Sequence, residues 1–279
     1  MYLEHFGLTE LPFGITPDTS FVFSAAAHQE ALNTLLVAMQ GGEGFIKVTA
    51  EVGTGKTLLC RRFLACLGDN HAVAYIPNPA LPPDILLQAV AEEIGLDTDA
   101  SATEEERFKL VKFINARLLQ LAQEGKSLVL CIDEAQTIPL DSLEMLRLLS
   151  NLETEKRKLI HIVLFGQPEL DEKLSDPSVR QLRQRIAFHY AMPGLRRDEV
   201  EHYLAHRLRV AGYRGNPIFS SGVAKKIHAA ARGTPRLINI LAHKSMLSAF
   251  GEGKALVAGA HVTNAARDTE GARRPFWPF

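Results

Sequence analysis

At 279 residues the chain has room for one large domain or two moderate ones, and is too short for three. Its 46% hydrophobic and 23% charged residues are globular values that support a sizeable core, which excludes disorder and fibres as the main state. A formal charge of -1, from 31 basic and 32 acidic residues, argues against a generally basic nucleic-acid binder, although a basic patch stays open.

The three cysteines, Cys60, Cys66 and Cys131, cannot all pair within one chain. Each sits among aliphatic neighbours and reads as a small buried hydrophobe in a reducing compartment. The N-terminus has acids and a proline but no basic stretch before an apolar run, so no signal peptide is expected. No 18 consecutive apolar residues occur. The expectation is a cytoplasmic protein whose membrane contact, if any, is peripheral.

In chain order, residues 1–24 carry Phe6, Phe13, Phe21 and Phe23 without a clean period, which predicts an irregular but packed leader. A helix is expected from His28 to Met39, ended by Gly41-Gly42. Apolar runs at Phe45–Thr49, Ala72–Ile76, Leu128–Ile132 and Ile160–Phe165 read as strands, with Ala187–Met192 a fifth. Helical patterns separate them at Thr57–Leu67, Pro83–Ile94, Thr103–Gln123 and Leu140–Leu152. The third opens on Thr103-x-x-Glu106, a capping pattern, and sets Phe108, Val111, Ile114, Leu118 and Leu121 on one face. Strands apolar on both faces, alternating with helices, predict an α/β fold with a parallel sheet sandwiched by helices.

After Pro193-Gly194 the pattern becomes helical, at Arg197–Ala211, Ser220–Ala231 and Pro235–Phe250, then near His261–Arg267. The expected division is a leader and helix at 1–43, an α/β core at 44–192, a small helical domain at 193–268 and a tail at 269–279 ending RRPFWPF. Between Lys173 and Lys254 stand 15 basic and 5 acidic residues, and the rest of the chain has 16 against 27. The neutral total therefore hides an acidic first part and a basic second part. That basic surplus reads as solvated helix faces, with nucleic acid, anionic lipid or an acidic partner as alternatives. His202-x-x-x-His206 lacks the glutamate of a zinc-protease motif and reads as surface or core.

The strongest chemical signal is Ala50-Glu51-Val52-Gly53-Thr54-Gly55-Lys56-Thr57-Leu58, directly after a strand and opening a helix. Successive backbone N–H groups of such a loop curl around phosphate oxygens, and the helix N-terminus adds favourable partial charge. Lys56 is placed to neutralise the β- and γ-phosphates of ATP, and Thr57 to put its hydroxyl on Mg²⁺. Ala50 stands where the usual pattern has its first glycine, a position in the opening turn and outside the anion nest. The second signal is the buried run Leu128–Ile132 leading straight into Asp133-Glu134, which sets two carboxylates at the carboxyl edge of the sheet. Asp133 suits the Mg²⁺ site and Glu134 suits polarising the attacking water.

Three weaker positions gain meaning beside these. Gln167 follows the Ile160–Gly166 run and reads either as a loop amide or as a group touching water or the γ-phosphate. Arg180, Arg183 and Arg185 form either a solvated basic face or a guanidinium reaching a neighbouring subunit's γ-phosphate. Gly233-Thr234-Pro235-Arg236 starts a helix, from which Arg236 is placed to sense the nucleotide.

This set of motifs resembles an AAA+ ATPase. More narrowly, MYLEHFGL, PFGITPD, IDEAQ, VLFGQPEL, LRQRI and GTPRLINIL resemble the general-secretion-pathway protein A family from Met1 to about Arg267. The resemblance implies an ATPase that supports assembly of a type IV pilus of the mannose-sensitive haemagglutinin kind, or of a type II secretion apparatus, at the inner membrane. It assigns Lys56 and Thr57 to Walker A, Asp133 and Glu134 to Walker B, Gln167 to sensor 1 and Arg236 to sensor 2. The arginine-finger place falls in LRQRI, on Arg185 ahead of Arg183. It implies a ring-forming homo-oligomer with inner-membrane secretion or pilus components as partners. The transmembrane and cell-wall-binding extension of larger relatives is not expected here. The rival readings are a DNA-binding ATPase of transposition or replication initiation, and a nucleotide-dependent scaffold with little turnover.

Overall fold

The computed structural model of the protein describes residues 1–14, 19–21, 23, 26–96, 104–153 and 158–273. The Thr103 cap and the tail from Arg274 onward lie outside the described residues. The chain divides into two compact units. A sheet unit comprises Glu30–Ala50 and Lys56–Met192, and a helical unit comprises Met1–Gln29, Glu51–Gly55 and Pro193–Phe279.

In chain order the elements are α1 (Tyr2–Phe6), α2 (Ala26–Gln40), β1 (Phe45–Thr49), α3 (Lys56–Ala65), β2 (His71–Ile76), α4 (Pro83–Glu93) and α5 (Glu104–Gln123). There follow β3 (Ser127–Ile132), α6 (Leu140–Leu149), β4 (Ile160–Gly166), α7 (Glu169–Lys173), α8 (Arg180–Arg185) and β5 (Ile186–Ala191). The last four helices are α9 (Glu199–Val210), α10 (Ser221–Ala231), α11 (Pro235–Gly251) and α12 (Gly259–Arg267). All five expected strands form, and they make one parallel sheet in the order β2-β3-β4-β1-β5. The short helices α7 and α8 are too brief to show a helical period, which is why pattern reading passes over them.

Burial follows place in the sheet. β4 is buried at every residue and β3 from Leu128 onward, because both are interior strands with helices on each face. The edge strand β5 instead alternates half-buried Ile186, Phe188 and Tyr190 with exposed Ala187, His189 and Ala191. Around the sheet, Leu86, Leu87, Val90, Ile114, Leu118, Leu143 and Leu146 from α4, α5 and α6 join Leu128, Leu130, Ile162 and Leu164 in one core. Burying each such side chain is worth roughly 1.5–3 kcal/mol. Since β4 lies between β3 and β1, the carboxyl ends of these three strands lie side by side, with Thr49 opposite Gly166 and Ile132 opposite Leu164.

The helical unit has its own core, built from α9–α12 and from the leader. Phe6, Phe13 and Phe21 are buried there against residues such as Val200, Leu204, Ile227 and Leu241. Arg207 ties the leader down: its Nε donates to the Pro12 carbonyl at 2.6 Å and its guanidinium lies 4.4 Å over the Phe21 ring. Proline at the start of α11 suits the first helical turn, where no N–H is needed.

Two expectations need correcting. Phe108 is 62% exposed, not part of the buried face of α5, and Lys112 sits 4.3 Å over its ring. Six residues before buried Ile114, it lies about 120° round the helix, beyond the apolar stripe. Cys66 is exposed, because it follows the last residue of α3 where the chain turns outward, whereas Cys60 and Cys131 are buried.

Candidate nucleotide site

Within the sheet unit the strand ends gather oxygen and amide groups. Lys56 opens α3, is buried, and donates from Nζ to the Ala50 carbonyl at 2.7 Å. Thr57 Oγ1 donates to Asp133 Oδ2 at 2.6 Å, so a hydroxyl from the first turn of α3 and a carboxylate from the end of β3 meet. Leu58 follows, half-buried in the first turn of α3. Asp133 is 3% exposed, and its other oxygen, Oδ1, accepts the Glu134 backbone N–H at 2.9 Å. Burial and the neighbouring Asp133 carboxylate push the Tyr75 phenol up to about 12, so it stays protonated beside that acid.

Glu134 takes the left-handed conformation, with φ at 50°, a costly choice for a residue with a Cβ. The turn brings its carboxylate to two amides. Glu134 Oε2 accepts from Gln136 Nε2 at 2.6 Å and from Gln167 Nε2 at 3.1 Å. Gln136 Oε1 in turn accepts the Gln167 backbone N–H at 3.0 Å. Lys173 Nζ fixes this segment by donating to the carbonyls of Gln136 and Ile138, at 2.5 and 2.7 Å, and burial holds its ammonium below the ordinary value. Gln136 and Lys173 were missed in the sequence. Gln136 stood within reach as the last residue of IDEAQ, whereas Lys173 carries no motif and is recruited only by α7.

The middle of the loop, Glu51–Gly55, belongs to the helical unit. Glu51 and Val52 are exposed, and Thr54 Oγ1 donates to the Glu51 carbonyl at 2.7 Å. Gly53 and Gly55 have φ of +77° and +101°, where side chains are rarely tolerated. A Cβ on Gly53 would stand 2.4 Å from Cβ of Arg236, and one on Gly55 would stand 2.8 Å from His28 Nε2. The Arg236 backbone N–H donates to the Gly53 carbonyl at 3.2 Å, and His28 Nε2 lies 3.0 Å from the Thr54 carbonyl. Sequence reading did not anticipate His28, since a histidine in an N-terminal helix carries no signal of its own.

The arginines of α8 fall elsewhere. Arg185 Nη1 donates to Ser150 Oγ at 3.0 Å, and Arg183 lines a cavity of about 320 Å³ with Lys47, Asp171 and His189. Among the described residues, neither hydrogen-bonds to Lys56, Asp133 or Glu134. Hydroxyl and carboxylate oxygens are the donor chemistry that Mg²⁺ prefers, usually with phosphate oxygens completing its shell, and Thr57 with Asp133 fits that set.

Parallel order, a loop of positive-φ glycines after β1 and an Asp-Glu pair after β3 define a class. Residues 39–174, just under half of the chain, match the model of an AAA domain, and the fold is that of a P-loop nucleotide-binding protein. Fold comparison agrees. Cdc6p from Pyrobaculum aerophilum superposes with a TM-score of 0.64, at 17% identity, over 91% of this chain and 71% of that one. The Aeropyrum pernix ORC1 protein in complex with DNA does so with 0.58, at 19% identity, over 92% and 69%. Within the class, the chain is a relative of general secretion pathway protein A of Aeromonas hydrophila, 39% identical over 273 residues. That match takes in 98% of this chain, which spans about half of the relative's length (49%).

Proposed function

We propose that this chain binds ATP with Mg²⁺ and hydrolyses it, and that it uses the cycle to support assembly of a type IV pilus or type II secretion apparatus. The observation that carries the reading is the meeting of Thr57 Oγ1 and Asp133 Oδ2 at 2.6 Å, one residue beyond Lys56 and one before Glu134. A phosphate-bound Mg²⁺ held by that pair would supply charge neutralisation for phosphoryl transfer. The chain's own groups do the rest. Loop N–H groups of residues 51–57 and the Lys56 ammonium bind the phosphates, and Glu134 takes up the proton of the attacking water. Gln167 and Gln136 orient the Glu134 carboxylate, and Arg236 couples the loop to α11 through Gly53.

The test is Glu134→Gln. Phosphate release should fall about 10²–10⁴-fold while ATP binding persists, the range usual for loss of a general base. Unchanged hydrolysis would remove Glu134 from the chemistry. The secretion reading draws on the relative's name. It includes cytoplasmic placement with peripheral contact at the inner membrane, self-association as a ring with Arg185 or Arg183 acting across subunits, and working bounds of 44–192 for the core and 193–268 for the helical domain. No helix among the described residues is long and apolar enough to cross a membrane.

A second reading, a DNA-binding ATPase, is favoured by the basic surplus between Lys173 and Lys254 and by the DNA-bound fold neighbour. DNA-stimulated hydrolysis that fades steeply with salt would establish it in place of the first. Turnover that stays negligible with every added partner would leave a nucleotide-dependent scaffold.

A further inference from the structure

Helices α4, α5 and α6 leave an open groove of about 590 Å³ on the sheet unit. Its apolar wall comes from Leu87, Val111, Met145 and Leu148. Leu148 is 54% exposed there, on a helix whose other core-facing leucines, Leu143, Leu146 and Leu149, are buried. Among the described residues the polar lining is acidic: Asp141 and Glu144 contribute, and no described lysine, arginine or histidine does. Among the described residues Asp141 makes no ion pair. Glu144 gives one oxygen to Arg147 Nε at 2.7 Å, and its Oε2 is buried and has no hydrogen-bond partner among the described residues. An apolar trough with an anionic rim fits an occupant that is aromatic and cationic together.

One segment of the chain has that composition and has no place in the nucleotide chemistry. Residues 273–279 read Arg-Arg-Pro-Phe-Trp-Pro-Phe. Its aromatic side chains each bury about 150–250 Å² on docking, and its prolines restrict the free segment towards extended conformations, which lowers the ordering cost of binding. Arg273 is exposed and its backbone N–H donates to the Ala230 carbonyl at 2.8 Å, so the first residue of the segment is fixed. Charge matches as well, since the groove's Asp141 and Glu144 face a segment that opens on two arginines. Opposite patches on one molecule pair head to tail between copies.

We propose that the groove of one copy receives the segment Arg273–Phe279 of a second copy. The aromatic rings lie on Val111, Met145 and Leu148, and the arginines stand at the exposed Asp141 and beside Glu144. The proposal deepens the self-association reading above and rests on it only in taking a second copy as the partner, because no step of ATP hydrolysis enters it.

Trp277 is the only tryptophan, so its fluorescence reports the docking directly. A donor copy carrying Leu148→Asp keeps Trp277 but loses its own groove. An acceptor copy carrying Phe276→Ala and Trp277→Ala is optically silent and keeps the groove. Titrating acceptor into donor should shift the emission to the blue and saturate. Adding Asp141→Lys to the acceptor should weaken the titration about tenfold, and adding Leu148→Asp should abolish it. No shift on mixing would overturn the proposal, and so would a shift that survives Leu148→Asp in the acceptor. Should Leu148→Asp unfold the donor, a labelled RRPFWPF peptide titrated onto the silent acceptor, with and without Asp141→Lys, decides the same question. ATP binding by each variant alone should equal that of the parent, because the groove and the segment lie outside the phosphate loop, which separates this test from that of Glu134.

Discussion

The sheet unit buries β4 from Ile160 to Gly166 without a break, whereas the helical unit fills part of its interior with side chains that carry charge or hydrogen-bonding groups. In the first, the buried polar residues of the candidate site lie beyond the strands, Lys56 at the start of α3 and Asp133 just after β3, while Lys47 and His161 are buried within β1 and β4. In the second, Arg207, Asn239 and Tyr203 lie inside the packing and hold the leader. Tyr203 donates to Asn239 Oδ1 at 2.8 Å, and Asn239 Nδ2 reaches the Gly14 carbonyl at 3.1 Å. The difference teaches where polarity is spent. A parallel sheet satisfies most of its backbone within itself and can gather polar side chains for chemistry where its strands end, while an irregular leader has carbonyls that only side chains can pair.

The largest expected effect lies at the edge of the sheet. Lys56→Ala should abolish ATP binding in a direct binding assay while the circular dichroism spectrum stays that of the parent. Retained affinity would show that the buried Lys56 serves the loop through the Ala50 carbonyl and not a phosphate.

Next come the two interiors. Phe165 is fully buried in β4, and Phe165→Ala should cost about 3–5 kcal/mol in denaturant unfolding. Arg207→Met keeps length but removes the bond to the Pro12 carbonyl and should cost about 1.5–3 kcal/mol, the range for a hydrogen bond to a charged group. The second variant should also expose the leader to limited proteolysis before the rest of the chain is cut. A leader that stays protected would mean that Phe6, Phe13 and Phe21 hold it without Arg207. A smaller effect belongs to Arg236→Ala, which should slow turnover about tenfold with ATP affinity little changed, about 1.4 kcal/mol of transition-state stabilisation. An unaltered rate would confine Arg236 to its backbone contact with Gly53.

These contrasts also explain what the sequence could show. Runs such as Leu128–Ile132 declare interior strands because both their faces are apolar, and the Asp133-Glu134 pair follows from where such a run stops. The glycines of the phosphate loop are legible for a similar reason, since positive φ leaves few alternatives. Gln136 was not legible as a partner of Glu134, because the two meet through the left-handed turn at Glu134, and no residue type announces that turn. Nor could any period show that α7 places Lys173 on the carbonyls of Gln136 and Ile138. The packing of Phe6, Phe13 and Phe21 was foreseen from their number, but the partner that covers Phe21, Arg207, lies 186 positions later and reads in sequence as a surface charge.

The smallest effect is a pH dependence that His161 gives the sheet unit. His161 is buried in β4, and its Nδ1–H donates to the Glu43 carbonyl at 2.7 Å. Burial holds its pKa below the ordinary 6.5, helped by the nearby His71 and Lys158 and opposed by the Glu43 bond. Above about 6.5 both folded and unfolded chains carry a neutral His161, and the stability contribution is full. As pH falls below that value the unfolded chain takes up the proton first, so stability drops until the folded pKa is passed, and then drops no further. Unfolding free energies at pH 7.5 and 5.5 should therefore differ more for the parent than for His161→Gln, which keeps an N–H for Glu43 and cannot titrate. His189 and His243 also have pKa values lowered chiefly by burial, so the parent alone would not isolate the effect and the difference between the two proteins does. Equal pH dependence in both would mean that His161 takes up its proton as readily folded as unfolded, and that the interior of β4 is less dry than its unbroken burial implies.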